Sequence, residues 1–131
     1  MTVFDASVFV DALVVAGPSA DAARAEFGDQ ATLEVPAIFL AESVSALRAL
    51  VHRGRLSPIR AAAAISQVRT VRTIEYPFEP FTDRVWELRD NLTIYDAWYV
   101  AVAEWLGTDL VTADARLAAA HGPRCPIRMP G

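Results

Sequence analysis

Residues 95–117 read YDAWYVAVAEWLGTDLVTADARL, and the order of features along this stretch decides the fold. From Asp96 to Leu106 the chain is apolar nearly all round, the mark of a helix buried on every side. Gly107 then supplies the stop that helix C-termini favour. Asp109 to Thr112 reads as a short buried strand, followed by Asp114 and a short helix over Ala115 to Ala120. A buried helix feeding directly into a buried strand is the unit from which helix-covered parallel sheets are built.

The rest of the chain repeats that alternation. Thr2-Val3-Phe4 predicts a first strand and Ala6 to Val15 a helix ended by Gly17-Pro18. Ser19 reads as the cap of a second helix running to Phe27. A second strand is expected over Ala31 to Val35, closed by Pro36. Between Ala37 and His52 the residues Leu40, Val44, Leu47 and Val51 recur at helical steps, and Gly54 ends that helix. Ser57-Pro58 places a cap before a proline in the first turn of a helix reaching Val68. Val71 to Tyr76 is rich in β-branched residues and predicts a third strand; Glu79 to Asp90 predicts a helix. Pro126 to Met129 offers a last strand. These elements describe one domain spanning residues 1–131. The expected architecture is α/β, three layers α/β/α with a central parallel sheet of four or five strands.

Composition narrows the chemistry. With 53% hydrophobic residues in 131, the chain can bury a real core and is not disordered. All 12 cations are arginine, so every site that requires a lysine, the P-loop included, is excluded. A net charge of −4 gives no help in gripping phosphate. Setting aside four acids held by a cation brings the remainder to neutrality. Cys125 is the only cysteine, which rules out an internal disulfide and points to a reducing compartment. Together with His52 and His121 it shows no zinc-ligand spacing. No signal peptide or membrane span is legible, so a cytoplasmic protein without membrane contact is expected.

Four acids stand where such a fold would gather them. Asp5 ends the first strand, and Asp114 follows the strand Asp109 to Thr112. Ligands of open parallel sheets bind beyond the carboxyl ends of the strands. Asp96 lies in the first turn of the buried helix, where the dipole favours an anion. Glu42 sits on the helix of residues 37–52, nearly opposite the apolar stripe, beside Ser45, Ala46 and Ala49. Singly, Asp5, Asp96 and Asp114 also suit helix caps. Crowded together, carboxylates about 4 Å apart repel by roughly 4 kcal/mol at an effective dielectric near 20, so a hard divalent cation is their natural companion. Oxygen-only ligands favour Mg²⁺ or Mn²⁺, one ion or two.

The order Val-Phe-Asp5-Ala-Ser7, a mid-chain Ala-Glu42-Ser helix, Tyr95-Asp96-Ala97-Trp98-Tyr99 and Leu110-Val111-Thr112-Ala113-Asp114 resembles the PIN-domain family, and within it the VapC-type ribonuclease toxins of toxin–antitoxin pairs. The resemblance covers essentially the whole chain. It implies a metal-dependent endoribonuclease with Asp5, Glu42, Asp96 and Asp114 as catalytic and metal-binding acids, and Ser7 and Thr112 as hydrogen-bonding partners that orient them. Cleavage would leave a 5′-phosphate and a 3′-hydroxyl, with Asp114 or Glu42 open as a general base. It further implies an RNA substrate, a cognate antitoxin and a homodimer. The antitoxin groove is placed along Ser7 to Phe27 and near Arg60 to Ile65. Arg48, Arg53, Arg55 and Arg116 are the arginines nearest the motifs, and their guanidinium forks suit RNA phosphates. Trp98, Tyr99 and Trp105 read as packing residues. The rival reading is a catalytically inactive PIN-fold module that binds protein or RNA. A receiver domain would need a lysine, and a haloacid-dehalogenase-type phosphatase would need Asp in place of Ser7.

Overall fold

Val3 and Phe4 are wholly buried and form β1 (Val3–Phe4) at the centre of a computed structural model that describes residues 2–28 and 30–131. In chain order there follow α1 (Ala6–Val14), α2 (Pro18–Phe27), β2 (Leu33–Pro36), α3 (Phe39–His52), α4 (Pro58–Thr70) and β3 (Thr73–Tyr76). A single 3₁₀ turn, Glu79–Phe81, leads into α5 (Thr82–Glu87). The chain ends with α6 (Ile94–Leu106), β4 (Leu110–Val111), α7 (Ala115–Ala118) and β5 (Ile127–Arg128).

All strand pairs are parallel. β1 pairs with β4, Val3 opposite Leu110 and Phe4 opposite Val111, and β4 pairs with β5. β2 and β3 form a second ladder from Leu33–Thr73 to Pro36–Tyr76, and β2 packs alongside β1. The result is the expected three-layer α/β/α arrangement, with five strands in two hydrogen-bonded groups, β1-β4-β5 and β2-β3. β1 and β4 are only two residues long, yet every one of their side chains is buried, as strands covered on both faces require.

Local chemistry explains the boundaries, and several differ from expectation. Ser57 caps α4 by accepting the Arg60 N–H at 3.2 Å, as read from Ser57-Pro58. Gly107 closes α6 at φ +66°, a conformation glycine adopts at little cost. Ser19, by contrast, caps nothing: Gly17 occupies the N-cap of α2 with Pro18 in its first turn. The predicted helix over 79–90 divides, because Pro80 falls within a 3₁₀ turn and α5 stops at Glu87. On α3 the buried side chains are Phe39, Ser43 and Leu47, while Val44 is 41% exposed. Leu47 is buried and Leu40 and Val51 pack against the core as the stripe predicts; Val44 alone faces outward, and Glu42 is partly buried.

Candidate functional site

The parallel pairing of β1 with β4 sets Asp5 and Asp114 at one edge. The Asp5 N–H donates to the Val111 carbonyl at 3.0 Å, which extends the ladder by one residue beyond β1. Asp5 then turns the chain into α1 as its N-cap, accepting the N–H groups of Ser7 at 3.0 Å and Val8 at 3.3 Å. The Ser7 hydroxyl donates to that same oxygen, Oδ1, while the other oxygen, Oδ2, takes the Thr112 hydroxyl at 2.5 Å. Ser7 Oγ in turn accepts the Ala113 N–H at 3.1 Å, and Thr112 Oγ1 accepts the Asp114 N–H at 3.0 Å. Two hydroxyls thus tie the end of β1 to the end of β4 through one carboxylate that is only 7% exposed.

The remaining acids arrive from two helices. Thr93 caps α6 by accepting the Asp96 N–H at 3.2 Å, so Asp96 is the third helical residue rather than the cap. Asp114 caps α7, accepting the Arg116 N–H at 2.9 Å. Glu42 stands in the first turn of α3 with one carboxylate oxygen, Oε1, buried and lacking a hydrogen-bond partner.

Electrostatics show that the acids feel one another. Burial pushes the Asp5 carboxyl up, against the pull of its hydroxyl and N–H donors. Burial likewise raises Asp96, opposed by Thr93 and reinforced by the charges of Asp5 and Asp114; Arg116 pulls it back. Glu42 is raised first by burial and then by the charges of Asp96 and Asp5, against its interaction with Tyr99. The four acids therefore converge on the carboxyl edge of the sheet. Among the described residues, however, no three carboxylate, histidine or cysteine side chains are gathered in a geometry ready to hold an ion. Asp5 is instead turned to the hydroxyls of Ser7 and Thr112, and Asp114 to Arg116. The donor set is nonetheless all oxygen, and the unpartnered Glu42 Oε1 is a buried acceptor with capacity for a ligand. The residues fit a hard divalent cation.

The arginines divide. Arg116 is almost fully exposed, lies 3.8 Å from Asp114 and acts on Asp96. Arg48, Arg53 and Arg55 are exposed beyond the middle of α3. At 1.5 Å per residue, Arg53 is roughly 16 Å along the axis from Glu42. Only Arg116 adjoins the acids.

Three features escaped the sequence reading. Trp105 is 73% exposed and is not a packing residue. Asp11 feels the charge of Asp5 after the larger effect of its own burial, both raising it. Tyr99, 1% exposed, points its hydroxyl at Glu42 from within the core. The Asp96-x-x-Tyr99 spacing, one helical turn on a shared face, was the available signal.

Comparison with known proteins follows the same outline. Residues 2–122 match the family model described as PIN domain. The chain is 39% identical over 127 residues to VapC ribonuclease Mb0985 of Mycobacterium bovis, covering 97% of this chain and 96% of that protein. It is 35% identical over 129 residues to ribonuclease VapC12 of Mycobacterium tuberculosis, covering 98% of each. Among solved structures, PAE2754 from Pyrobaculum aerophilum superposes with a TM-score of 0.67 at 26% identity, over 97% of this chain and 87% of that one. The Mycobacterium tuberculosis toxin VapC20, which cleaves the sarcin–ricin loop, gives a TM-score of 0.67 at 15% identity over 91% and 94%, a likeness of fold.

Proposed function

This chain belongs to the PIN-domain family, among the VapC-type ribonucleases, and from that premise we propose that it is an endoribonuclease working at Asp5, Glu42, Asp96 and Asp114 with Mg²⁺ or Mn²⁺. The observation that carries the assignment of the site is the joining of Asp5 to Thr112 across β1 and β4, with Glu42 and Asp96 in the same field. A divalent ion bound there supplies positive charge to the scissile phosphate and lowers the pKa of the attacking water.

The chain's own residues do the positioning. Asp5 and Asp96 are the principal ligands, with Glu42 and Asp114 completing the cluster. Ser7 and Thr112 restrict the rotation of the Asp5 carboxylate, so that it presents its oxygens in one orientation. Arg116, with its side chain 95% exposed beside Asp114, reaches for RNA phosphate at the rim. Arg48, Arg53 and Arg55 would meet the strand only farther along α3.

The antitoxin is assigned to the groove between α1, α2 and α4. A cavity of about 300 Å³ opens there, in which the apolar Phe9, Leu13, Phe27 and Leu33 suit a helix face and Arg24, Gln30 and Gln67 add polar lining; Arg60 to Ile65 do not line it. A homodimer is the expected assembly.

Purified protein is expected to cut single-stranded RNA only when Mg²⁺ or Mn²⁺ is added, leaving 5′-phosphate ends. Asp5→Asn and Asp96→Asn should each abolish cleavage without loss of the folded circular dichroism spectrum. Full activity in a metal chelator, or in both variants, would sink the proposal. A folded wild-type protein that binds RNA or antitoxin but never cleaves would instead support the inactive module.

A further inference from the structure

Tyr99 is placed like a core residue but carries a hydroxyl that core packing does not use. The side chain is 1% exposed, and its hydroxyl oxygen, fully shielded from solvent, completes no hydrogen bond of normal geometry. Glu42 Oε1 is in the same condition. The two groups are neighbours, and the Ala6 N–H adjoins the same phenol oxygen. Ala6 immediately follows Asp5, while Asp96 lies three residues before Tyr99 on the same face of α6. The charges of Glu42 and Asp5 both act on the hydroxyl.

A buried hydroxyl and a buried carboxylate oxygen left unpaired side by side are each costly. The one is a donor and the other an acceptor, so each is the natural partner of the other. A phenol is protonated at neutral pH and a carboxylate can only accept, so Tyr99 faces Glu42 as a donor. If Tyr99 served packing alone, phenylalanine would serve as well.

We propose that Tyr99 is the positioning residue for Glu42, its hydroxyl donating to that carboxylate and aiming it toward Asp5 and Asp96 when a divalent cation is bound. The inference rests on the metal-dependent reading of the acidic cluster. It assigns Tyr99 no contact with RNA or with the reacting atoms.

The test is Tyr99→Phe, which keeps the ring and removes only the hydroxyl. Mn²⁺ binding, followed by electron paramagnetic resonance of the free ion, should weaken by about tenfold relative to wild type. The thermal midpoint of the metal-free variant should equal or exceed that of wild type, because an unpaired buried hydroxyl has been removed. In cleavage assays kcat should fall while KM for RNA stays level. In a Glu42→Gln background, Tyr99→Phe should add little further loss. Unchanged Mn²⁺ affinity in Tyr99→Phe would overturn the proposal while leaving the metal site standing. So would an equal loss in the presence and absence of the Glu42 carboxylate. A wild-type protein that binds no Mn²⁺ would remove both the proposal and the metal reading beneath it.

Discussion

At the scale of single residues, Asp5 shows how a helix cap and a candidate metal ligand become one group. Its Oδ1 satisfies the free N–H groups at the start of α1, a role an N-cap aspartate fills at no functional cost. Its Oδ2 faces Thr112 instead, which follows β4 and donates its hydroxyl to this carboxylate. Thr112 is wholly buried, and its hydroxyl both donates to Asp5 and accepts from the Asp114 N–H. Thr112→Val preserves volume but removes both interactions. Cleavage activity or metal affinity is expected to drop by about 10–100-fold, measured by Mn²⁺ titration and RNA cleavage on a protein whose circular dichroism is unchanged. Retention of wild-type Mn²⁺ affinity would show that Asp5 needs no such support.

At the scale of elements, α6 is the piece that everything else positions. It carries Asp96 and Tyr99 at one end and is fastened at the other by Glu104. Arg84 of α5 grips that carboxylate through Nε at 2.7 Å and Nη2 at 3.0 Å, and the Arg124 N–H adds a third bond at 2.6 Å. Both charged side chains are mostly shielded from water, with exposures of 20% and 15%. A forked pair of this kind is worth more than an exposed one. Burial pushes the Glu104 carboxyl up, but Arg84 and the Arg124 N–H outweigh it, and the net shift is downward. A carboxylate lowered on folding contributes stability that is present above its unfolded value and lost as pH falls through the folded one. Glu104→Gln should therefore cost about 1–3 kcal/mol at pH 7, read by urea denaturation, and the gap from wild type should narrow under acid conditions. A gap independent of pH would mean that the Arg84 pair contributes only through packing.

At the scale of the whole molecule, the acidic edge is a point where stability is given up. Asp5, Glu42 and Asp96 are raised on folding, so the folded state holds their protons more tightly than the unfolded chain does. Their contribution is unfavourable at neutral pH and is relieved as pH falls through the folded values toward the unfolded ones. A bound cation reverses this, because it needs the ionised forms. Mn²⁺ should thus raise the thermal midpoint more at pH 7.5 than at pH 5.5. The gain corresponds to about 2.7 kcal/mol at a hundredfold excess over Kd. Asp5→Asn should lose this response while starting from a higher metal-free midpoint; scanning fluorimetry checks both, and a full response in Asp5→Asn would exclude it as a ligand. Among the described residues no single helix is long and apolar enough to cross a membrane. The alternation of apolar strands and helices, the glycine after α6 and the Ser57-Pro58 cap are local signals, and they suffice for the α/β class and most element positions. The motifs around Asp5, Asp96 and Asp114 were legible for the same reason, each standing beside a boundary that short-range chemistry sets. Which side chains meet is a matter of packing between distant elements. Helical periodicity found Leu40, Leu47 and Val51 on the inner side of α3 but not that Ser43 is buried there while Val44 is exposed. Nor could the apolar run of α6 reveal that Trp105 faces water while the hydroxyl of Tyr99 faces an acid. Burial and pairing depend on neighbours brought from distant parts of the chain, and a local pattern carries no record of them.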